Sequence, residues 1–189
     1  GRTKNLHNHR HMVIGMSLTA MYYLYLYMTK VSLDIFNCSP TDPPDGNDYL
    51  ESVFESCSKE GGVHQTLLPW AIVFFCAYTV GYPAIVAIIL FRNSERVKED
   101  QLLRALGLGD SRKENPFAHY VRVRYHRIYY HFKPSKTYWF LYVIFRKFWI
   151  CTVGVVLREQ PGFQLSVTML VLFWCFWMQQ KHRPFMSTV

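Results

Sequence analysis

The sequence predicts an all-α integral membrane fold, a four-transmembrane-helix bundle with a cytoplasmic helical hairpin. Half of the 189 residues are apolar and 17% are aromatic, which excludes an intrinsically disordered chain. The apolar residues are concentrated in four long runs, and the connections between these runs alternate in charge. The length suits one membrane domain and is too short for several independent cores.

Four apolar runs are the predicted spans. They cover residues 12–31, 70–91, 138–157 and 163–180, and only the first and the third contain Lys or Arg. A bilayer core needs about 20 apolar residues, and a water-soluble helix of that length ordinarily carries a polar stripe. We therefore expect membrane insertion rather than a water-soluble helical protein with buried helices.

The connections between the runs predict the orientation. Residues 32–69, named here the acidic loop, carry seven acids against one lysine. Residues 92–137, named here the basic linker, carry eleven Lys or Arg against five acids. Because positively charged connections stay in the cytoplasm, the basic linker and both termini are expected there.

The cysteines agree with this orientation. Cys38 and Cys57 are the two cysteines outside the predicted spans, and both lie in the acidic loop. Free thiols are uncommon on the oxidising side of a membrane, so we predict a Cys38–Cys57 disulfide, with two free thiols as the alternative. Such a bridge would close the loop at a gain of about 3 kcal/mol in the chain-entropy treatment.

The basic linker is expected to form two helices. Ser94 is a candidate cap for the first, and Gly107 a candidate stop. The second is expected to begin at Asn115 and to end near Phe132, although residues 120–127 also alternate like a strand; capping and length favour a helix. The predicted apolar faces comprise Leu102, Leu103 and Leu106 in the first helix, and Phe117, Val121, Tyr125, Ile128 and Phe132 in the second.

Basic and aromatic residues are interleaved along the second helix. Such a pattern can clamp single-stranded nucleic acid, but a connection between two spans lies beside the anionic inner leaflet. An amphipathic helix at the lipid interface is therefore preferred to nucleic-acid binding, and general positive-inside charge without a specific ligand is the simpler alternative. The predicted lipid-facing residues are Arg122, Arg124, Arg127, Lys133 and Lys136.

Arg146 and Lys147 lie inside the third predicted span. Charges at that depth cost at least about 2.5 kcal/mol each, so they predict a role in gating or subunit contact. The alternative is that both side chains reach the headgroups by snorkelling. In the second span, Gly81 and Pro83 predict a hinge, since proline frees a carbonyl about one turn earlier.

Catalytic and cofactor motifs are lacking in the sequence. We find no nucleophile elbow, phosphate loop or paired carboxylates within a span, and we expect a protein that is not an enzyme and carries no cofactor. His7, His9 and His11 alternate near the first span. Without a supporting cysteine or carboxylate they are interpreted as interfacial residues, and no metal site is predicted.

Three stretches carry a family resemblance, namely GGVHQTLLPW, EDQLLRALGLGDSRKENPFAHYVRVRYHRIYYHFKPSKTYWFLYVIFRKFWI and FQLSVTMLVLFWCFWMQQKHRPFMS. Together they resemble the transient-receptor-potential-like (polycystin-like) membrane region of very large algal and protist proteins with cysteine-rich ectodomains. The resemblance covers roughly residues 33–187. It implies a cation-channel-like or ciliary-surface protein in the plasma or ciliary membrane.

Two functions follow from these observations. The first is a membrane-anchoring and assembly module of a larger surface protein, whose partners are the bilayer and other protein chains. The second is a cation-channel domain. A channel of this general type needs a filter between its last two helices, and residues 158–162 are too few to hold one. The chain is expected to be part of a longer polypeptide.

Overall fold

A computed structural model of the chain describes residues 2–41, 43–50, 55–57 and 61–186, with side chains described from residue 9 onward. About 72% of the described residues are helical. In chain order, the elements are α1 Arg2–Asp34, β1 Cys38–Pro40, β2 Asp48–Leu50, β3 Glu55–Ser56, α2 Val63–Phe74, a π-helical segment Phe75–Val80, α3 Gly81–Arg92, α4 Ser94–Ala105, α5 His119–Tyr129, a 3₁₀ turn Pro134–Lys136, α6 Trp139–Val156 and α7 Pro161–His182.

Four helical stretches are long and apolar enough to cross a membrane, and they coincide with the four predicted spans. They are His9–Asp34, Val63–Arg92, Trp139–Val156 and Pro161–His182. The second starts at Val63, seven residues before its predicted boundary. In the structure Pro69 lies inside α2.

The acidic loop contains a three-stranded antiparallel sheet, which the all-α prediction omitted. Strand β2 is central, and its pairing with β1 aligns Cys38 with Leu50, while its pairing with β3 aligns Leu50 with Glu55. The strands are two or three residues long. Segments this short carry no readable alternation of apolar and polar residues, so the sequence pattern did not indicate them.

The chain divides into two compact units. The linker unit comprises residues 1–23, 83–145 and 176–189, and the loop unit comprises residues 24–82 and 146–175. The linker unit packs around fully buried apolar side chains, among them Val86, Leu90, Val97, Val121, Ile128 and Ile144. The loop unit buries Tyr25, Tyr82 and Leu50, together with the hydroxyl-bearing Thr29, Ser32 and Thr79.

Candidate functional site

The most extensive buried polar arrangement described in the linker unit is formed by Asp100, Gln101, Asn115 and Tyr129, named here the linker core. Each of the four side chains is at most 1% exposed. Helix α4 contributes the first two, and α5 contributes Tyr129. Buried polar groups of this kind are stable only when hydrogen-bonded, so their partners define the site.

Asp100 is the centre of the linker core. Its Oδ1 accepts a hydrogen bond from Asn115 Nδ2 at 2.8 Å, and its Oδ2 accepts one from the Tyr129 hydroxyl at 3.0 Å. Arg122 Nη1 lies 3.7 Å from Oδ1. Burial raises the pKa of Asp100, and its hydrogen-bond donors and Arg122 oppose that rise. Burial also raises the pKa of Tyr129.

Gln101 ties α4 to the end of α5. Its Nε2 donates to the Tyr129 carbonyl at 3.1 Å and to the Phe132 carbonyl at 2.8 Å. These are among the last carbonyls of the helical region, which lack partners within a helix. The Gln101 side chain of α4 therefore caps the C-terminal end of the α5 region.

The buried face of α4 differs from the prediction. Val97, Asp100 and Gln101 are buried at helical spacing, whereas Leu102 is 56% exposed and Leu106 is 73% exposed. The prediction from leucine periodicity was wrong because hydrogen bonding, and not apolar content, selects the inward face here.

The ends of the two linker helices partly match their predictions. Gly107 ends the α4 region with φ +72°, and the bonds from its N–H to Arg104 O and from Leu108 N–H to Leu103 O form a Schellman motif. Helix α5 begins at His119, four residues after the predicted cap. The Asn115 Oδ1 instead accepts from Ala118 N–H at 2.9 Å and closes the turn that precedes the helix.

Arg122 binds within the protein on one side of α5. Its guanidinium donates to the Gly109 carbonyl and pairs with the Asp110 carboxylate. It is also the cation nearest to Asp100. The sequence placed Arg122 among lipid-facing residues; the structure brings it against the loop that follows α4.

The other predicted interfacial cations are distributed around the linker unit. Arg127 is exposed, while Arg124, Lys133 and Lys136 are half-buried. Arg124 lies over the rings of two neighbouring tyrosines, and Lys136 Nζ lies 3.3 Å from His182 Nδ1. These residues do not converge on one point, and their lipid contact stays a prediction.

The segment that follows α7 is attached to the linker. After Arg183, which has a positive φ of 40°, the chain pairs antiparallel with residues 131–133. Lys133 N–H donates to Pro184 O at 2.8 Å, and Met186 N–H donates to His131 O at 3.1 Å. The rings of Phe132 and Phe185 lie 5.5 Å apart.

The predicted hinge in the second span coincides with a change of helix type. The π-helical segment ends at Val80, directly before Gly81. Because Pro83 has no N–H, the carbonyl of Thr79 loses its usual intrahelical donor. The Tyr25 hydroxyl donates to that carbonyl at 2.9 Å. A helical irregularity is therefore present at the position that the sequence singled out.

Arg146 and Lys147 lie in α6, seven and eight residues after its first residue. Both side chains are half-buried. Among the four candidate spans, α6 has the most covered apolar window, 33% buried. The structure thus keeps the two cations on the span with the greatest protein contact.

The predicted disulfide between Cys38 and Cys57 is present. His64 lies beside it, with Nε2 4.0 Å from the Cys38 sulfur and 3.0 Å from the Ile35 carbonyl oxygen. Two cysteines and a histidine this close resemble a metal site, but bonded sulfurs offer no thiolate.

Of the histidines near the first span, His7 has a helical backbone, and its side chain lies outside the described part of the chain.

Besides the disulfide, hydrogen bonds to the Asp45 carboxylate stabilise the acidic loop. The Tyr49 hydroxyl donates to Asp45 Oδ2 at 2.7 Å, and Asn47 N–H donates to Oδ1 at 2.9 Å. These hydrogen bonds lower the pKa of Asp45. Several other acids of the loop fall in residues 42, 51–54 and 58–60, outside the described part of the chain.

No protein-family model matches the chain, and neither a curated protein nor a solved structure matches it. The function is therefore inferred from the chain's own residues.

Sequence reasoning missed the linker core. Its members are ordinary polar residues of a charged segment, and taken one by one they resemble a solvated surface. One signal was available: Val97, Asp100 and Gln101 occupy positions i, i+3 and i+4, which share one face of a helix. Recognising it required knowing that Val97 faces inward.

Proposed function

We propose that the chain is a multi-pass membrane-anchoring and assembly module of a larger surface or ciliary protein. One observation carries this proposal. The apolar windows of the four candidate spans are only 6–33% buried within the chain. That much uncovered apolar surface requires lipid or other protein chains around it, because water would leave it unfavourably solvated.

The proposed topology has four spans in a bundle, with both termini and the basic linker in the cytoplasm. The charge asymmetry between the acidic loop and the basic linker supports this orientation. The Cys38–Cys57 disulfide supports it independently, since disulfides persist on the oxidising side of a membrane. The anionic inner leaflet is then the surface that the basic linker meets.

Assembly with other chains is supported by α7. Its apolar window is only 6% buried, the least among the four spans, and large aromatic side chains face outward from it. These include Phe173, 70% exposed, and Trp174, 58% exposed. In this proposal α7 carries the contacts to other chains, and the resemblance to transient-receptor-potential-like regions describes the setting of that assembly.

A labelling experiment tests the orientation. In a chain whose three free cysteines are replaced by alanine, single reporters Thr41→Cys and Ser111→Cys are treated with a membrane-impermeant maleimide. Both positions are exposed, so each reporter is reachable from its own side. We expect Thr41→Cys to react on intact cells and Ser111→Cys to react only after permeabilisation. The reverse pattern would refute the proposed topology.

A cation-channel domain is the second candidate, and the two cations of α6 favour it. Arg146 and Lys147 lie well inside a candidate span, where a charge is costly, and charges kept at such positions commonly serve conduction, gating or a subunit contact. The short connection argues against a complete pore, since only residues 157–160 separate α6 from α7. In this alternative the chain acts beside a pore contributed by other segments.

Cation flux distinguishes the two candidates. Liposomes containing the chain are compared with liposomes containing the Arg146→Gln/Lys147→Gln double variant. Arg112→Gln/Lys113→Gln, at two adjacent exposed positions of the basic linker, is the matched control for loss of charge. Flux that changes in the double variant and not in the control favours the channel. Absence of flux from protein that passes the labelling test favours the anchoring module.

A further inference from the structure

A cavity of about 810 Å³ lies within the linker unit, where the end of α3 meets the start of α4, and we name it the junction cavity. Its lining combines apolar, charged and aromatic side chains, among them Ile88, Phe91, Arg92, Glu95, Arg96 and Tyr120. The volume is in the range of small-molecule sites, which are about 300–1,000 Å³. No role in the proposed anchoring or assembly uses this cavity.

The junction cavity lies at the end of the second candidate span. That span ends at Arg92, and residues 70–91 before it carry no charge. Because such an apolar run fills the bilayer core, the first cation after it lies at the level of the lipid headgroups. In the proposed topology these are the headgroups of the anionic inner leaflet.

Two arginines of the lining are available to a ligand. Arg92 and Arg96 are both exposed. Neither guanidinium takes part in an ion pair or a side-chain hydrogen bond within the described residues, where both ion pairs belong to Arg122. Their N–H groups are therefore free to bind an anion.

The part of the lining that precedes Arg92 is apolar. Ile88 is 54% exposed and Phe91 is 75% exposed. Both side chains belong to the span, so their uncovered surface lies on the membrane side of the two arginines. This order, with apolar groups below and cations above, matches a molecule that carries an acyl chain beneath a charged headgroup.

Helix α5 contributes the aromatic part of the wall. Tyr120 and Tyr125 line the cavity, and the Arg124 guanidinium lies 5.8 Å from the centre of the first ring and 5.3 Å from that of the second. Arg124 also donates a hydrogen bond to the Tyr120 hydroxyl oxygen. The hydrogen of that hydroxyl remains available to a phosphate oxygen, because a hydroxyl donates and accepts at the same time.

The charges of the lining favour an anion. Glu95 is the one acid among the residues that line the junction cavity, against the two arginines. One positive charge is thus in excess. A ligand with a single negative charge balances it, and the inner leaflet supplies such ligands in the proposed topology.

We propose that the junction cavity binds an anionic glycerophospholipid of the inner leaflet. Arg92 and Arg96 bind its phosphate, since guanidinium groups bind phosphate oxygens in a planar, two-pronged manner. The Tyr120 hydroxyl adds a donor, and an acyl chain lies along Ile88 and Phe91. This site rests on the proposed membrane function, because the end of α3 must reach the inner leaflet.

The test uses the full chain in detergent micelles, analysed by native mass spectrometry. Phosphatidylglycerol is titrated, since it carries the phosphate without an amine. We expect a saturable site whose affinity falls about 10-fold in Arg92→Gln/Arg96→Gln, as two charge-assisted contacts are lost. Arg112→Gln/Lys113→Gln removes the same charge from two exposed positions outside the cavity lining, and it should leave the affinity unchanged.

A variant with the opposite expected effect guards against misfolding. Glu95→Gln removes the one acid of the lining, and we expect about 3-fold tighter binding because the repulsion of the phosphate is lost. Glu95 is exposed and forms no ion pair within the part of the chain that the structure describes, so its replacement breaks none. A tighter-binding variant cannot be explained by loss of structure.

The headgroup and the position of the lipid are tested separately. Phosphatidylcholine with the same acyl chains should bind about 10-fold more weakly, because its choline balances the phosphate charge. Phosphatidylglycerol with a photoreactive acyl chain should crosslink to the peptide that contains Ile88 and Phe91, and the Arg92→Gln/Arg96→Gln variant should lose this crosslink.

Three results would overturn the proposal: equal affinities for the two lipids, equal affinities of the two double variants, or crosslinks confined to other segments. Normal maleimide labelling beside any of them would leave the anchoring function standing. Reversed labelling would instead refute the topology on which both proposals depend.

Discussion

In the basic linker, four buried polar side chains hold two helices together, whereas in the acidic loop one disulfide and three short strands hold the chain. The linker core stabilises its segment through hydrogen bonds around Asp100 that water cannot reach. Among the described residues of the acidic loop few side chains are buried, and Leu50 is one of them. Where a connection forms helices that bury their side chains, hydrogen bonding between those side chains suffices; where it forms only strands of two or three residues, a covalent bond provides the stability.

Because of this difference, the two regions lose stability by different mechanisms when one residue is substituted. Removing a partner from a buried network leaves the remaining groups unsatisfied, which costs more than the net value of the bonds. Removing a disulfide enlarges the unfolded ensemble of the loop and leaves the folded contacts in place. The predictions below separate these two kinds of loss.

The largest effect is expected from Asp100→Ala. This change leaves the Tyr129 hydroxyl and the Asn115 amide without their acceptor and Arg122 without its nearest buried carboxylate. We expect the local opening free energy of α4 and α5 to fall by about 4 kcal/mol, measured by amide hydrogen exchange. Glu99→Ala, at the exposed neighbouring position, should change it by less than about 0.5 kcal/mol. Equal effects of the two variants would contradict the role of the linker core.

The next effect is expected from Cys38→Ser. Opening the Cys38–Cys57 bridge should lower the stability of the acidic loop by about 3 kcal/mol through the entropy of its unfolded chain. Hydrogen exchange and limited proteolysis of residues 38–57 report it, and exchange in α4 and α5 should not change. Cys76→Ser is the control, because Cys76 is a free thiol. Loss of protection in the linker would show that the two regions are coupled.

A smaller effect is expected from Gln101→Met, which keeps the side-chain volume and removes the amide. The carbonyls of Tyr129 and Phe132 then lose their donor. We expect a loss of about 2 kcal/mol, observed as faster exchange at the end of α5. Lys98→Met on the exposed face of α4 is the matched control. Unchanged exchange in Gln101→Met would mean that water replaces the amide.

The smallest effect compares one carboxyl from each region across pH. Burial raises the pKa of Asp100 above 3.8, and hydrogen bonds from Tyr49 and Asn47 lower the pKa of Asp45 below 3.8. The pH-dependent part of the Asp100 contribution to stability is full below pH 3.8 and is lost as the pH rises through its raised pKa. That of Asp45 is present above pH 3.8 and is lost as the pH falls through its lowered pKa. Carbon-13 titration of the two carboxyls checks this, and shifts in one direction would contradict it.

The apolar helices were accessible to sequence reasoning because their signal is length. A run such as residues 70–91 needs no partner to be recognised, since no other environment suits 22 uncharged residues. The disulfide was accessible for a similar reason, because only Cys38 and Cys57 lie outside the predicted spans. Both inferences depend on local composition.

The linker core was not accessible, because its members are separated along the chain. Asp100 and Tyr129 are 29 residues apart, and a polar residue in a charged segment gives no indication of its partner. A second cavity, beside α5, is lined by Arg122, Arg127 and Thr19. The sequence singled out the two arginines, but it did not place Thr19 near them, because that proximity depends on how α1 packs against α5. Tertiary contacts of this kind carry no local pattern.

Helix α1 has a mechanical consequence that follows from its length. Its 33 residues extend about 50 Å, whereas a bilayer core is about 30 Å thick. Toward its N-terminus α1 touches α5, where the His11 and Tyr120 rings meet edge to face and Gly15 lies close against the Arg124 carbonyl. A helix inserted over part of its length tilts when the bilayer thins. In the proposed topology, the tilt of α1 therefore follows the thickness of the surrounding membrane.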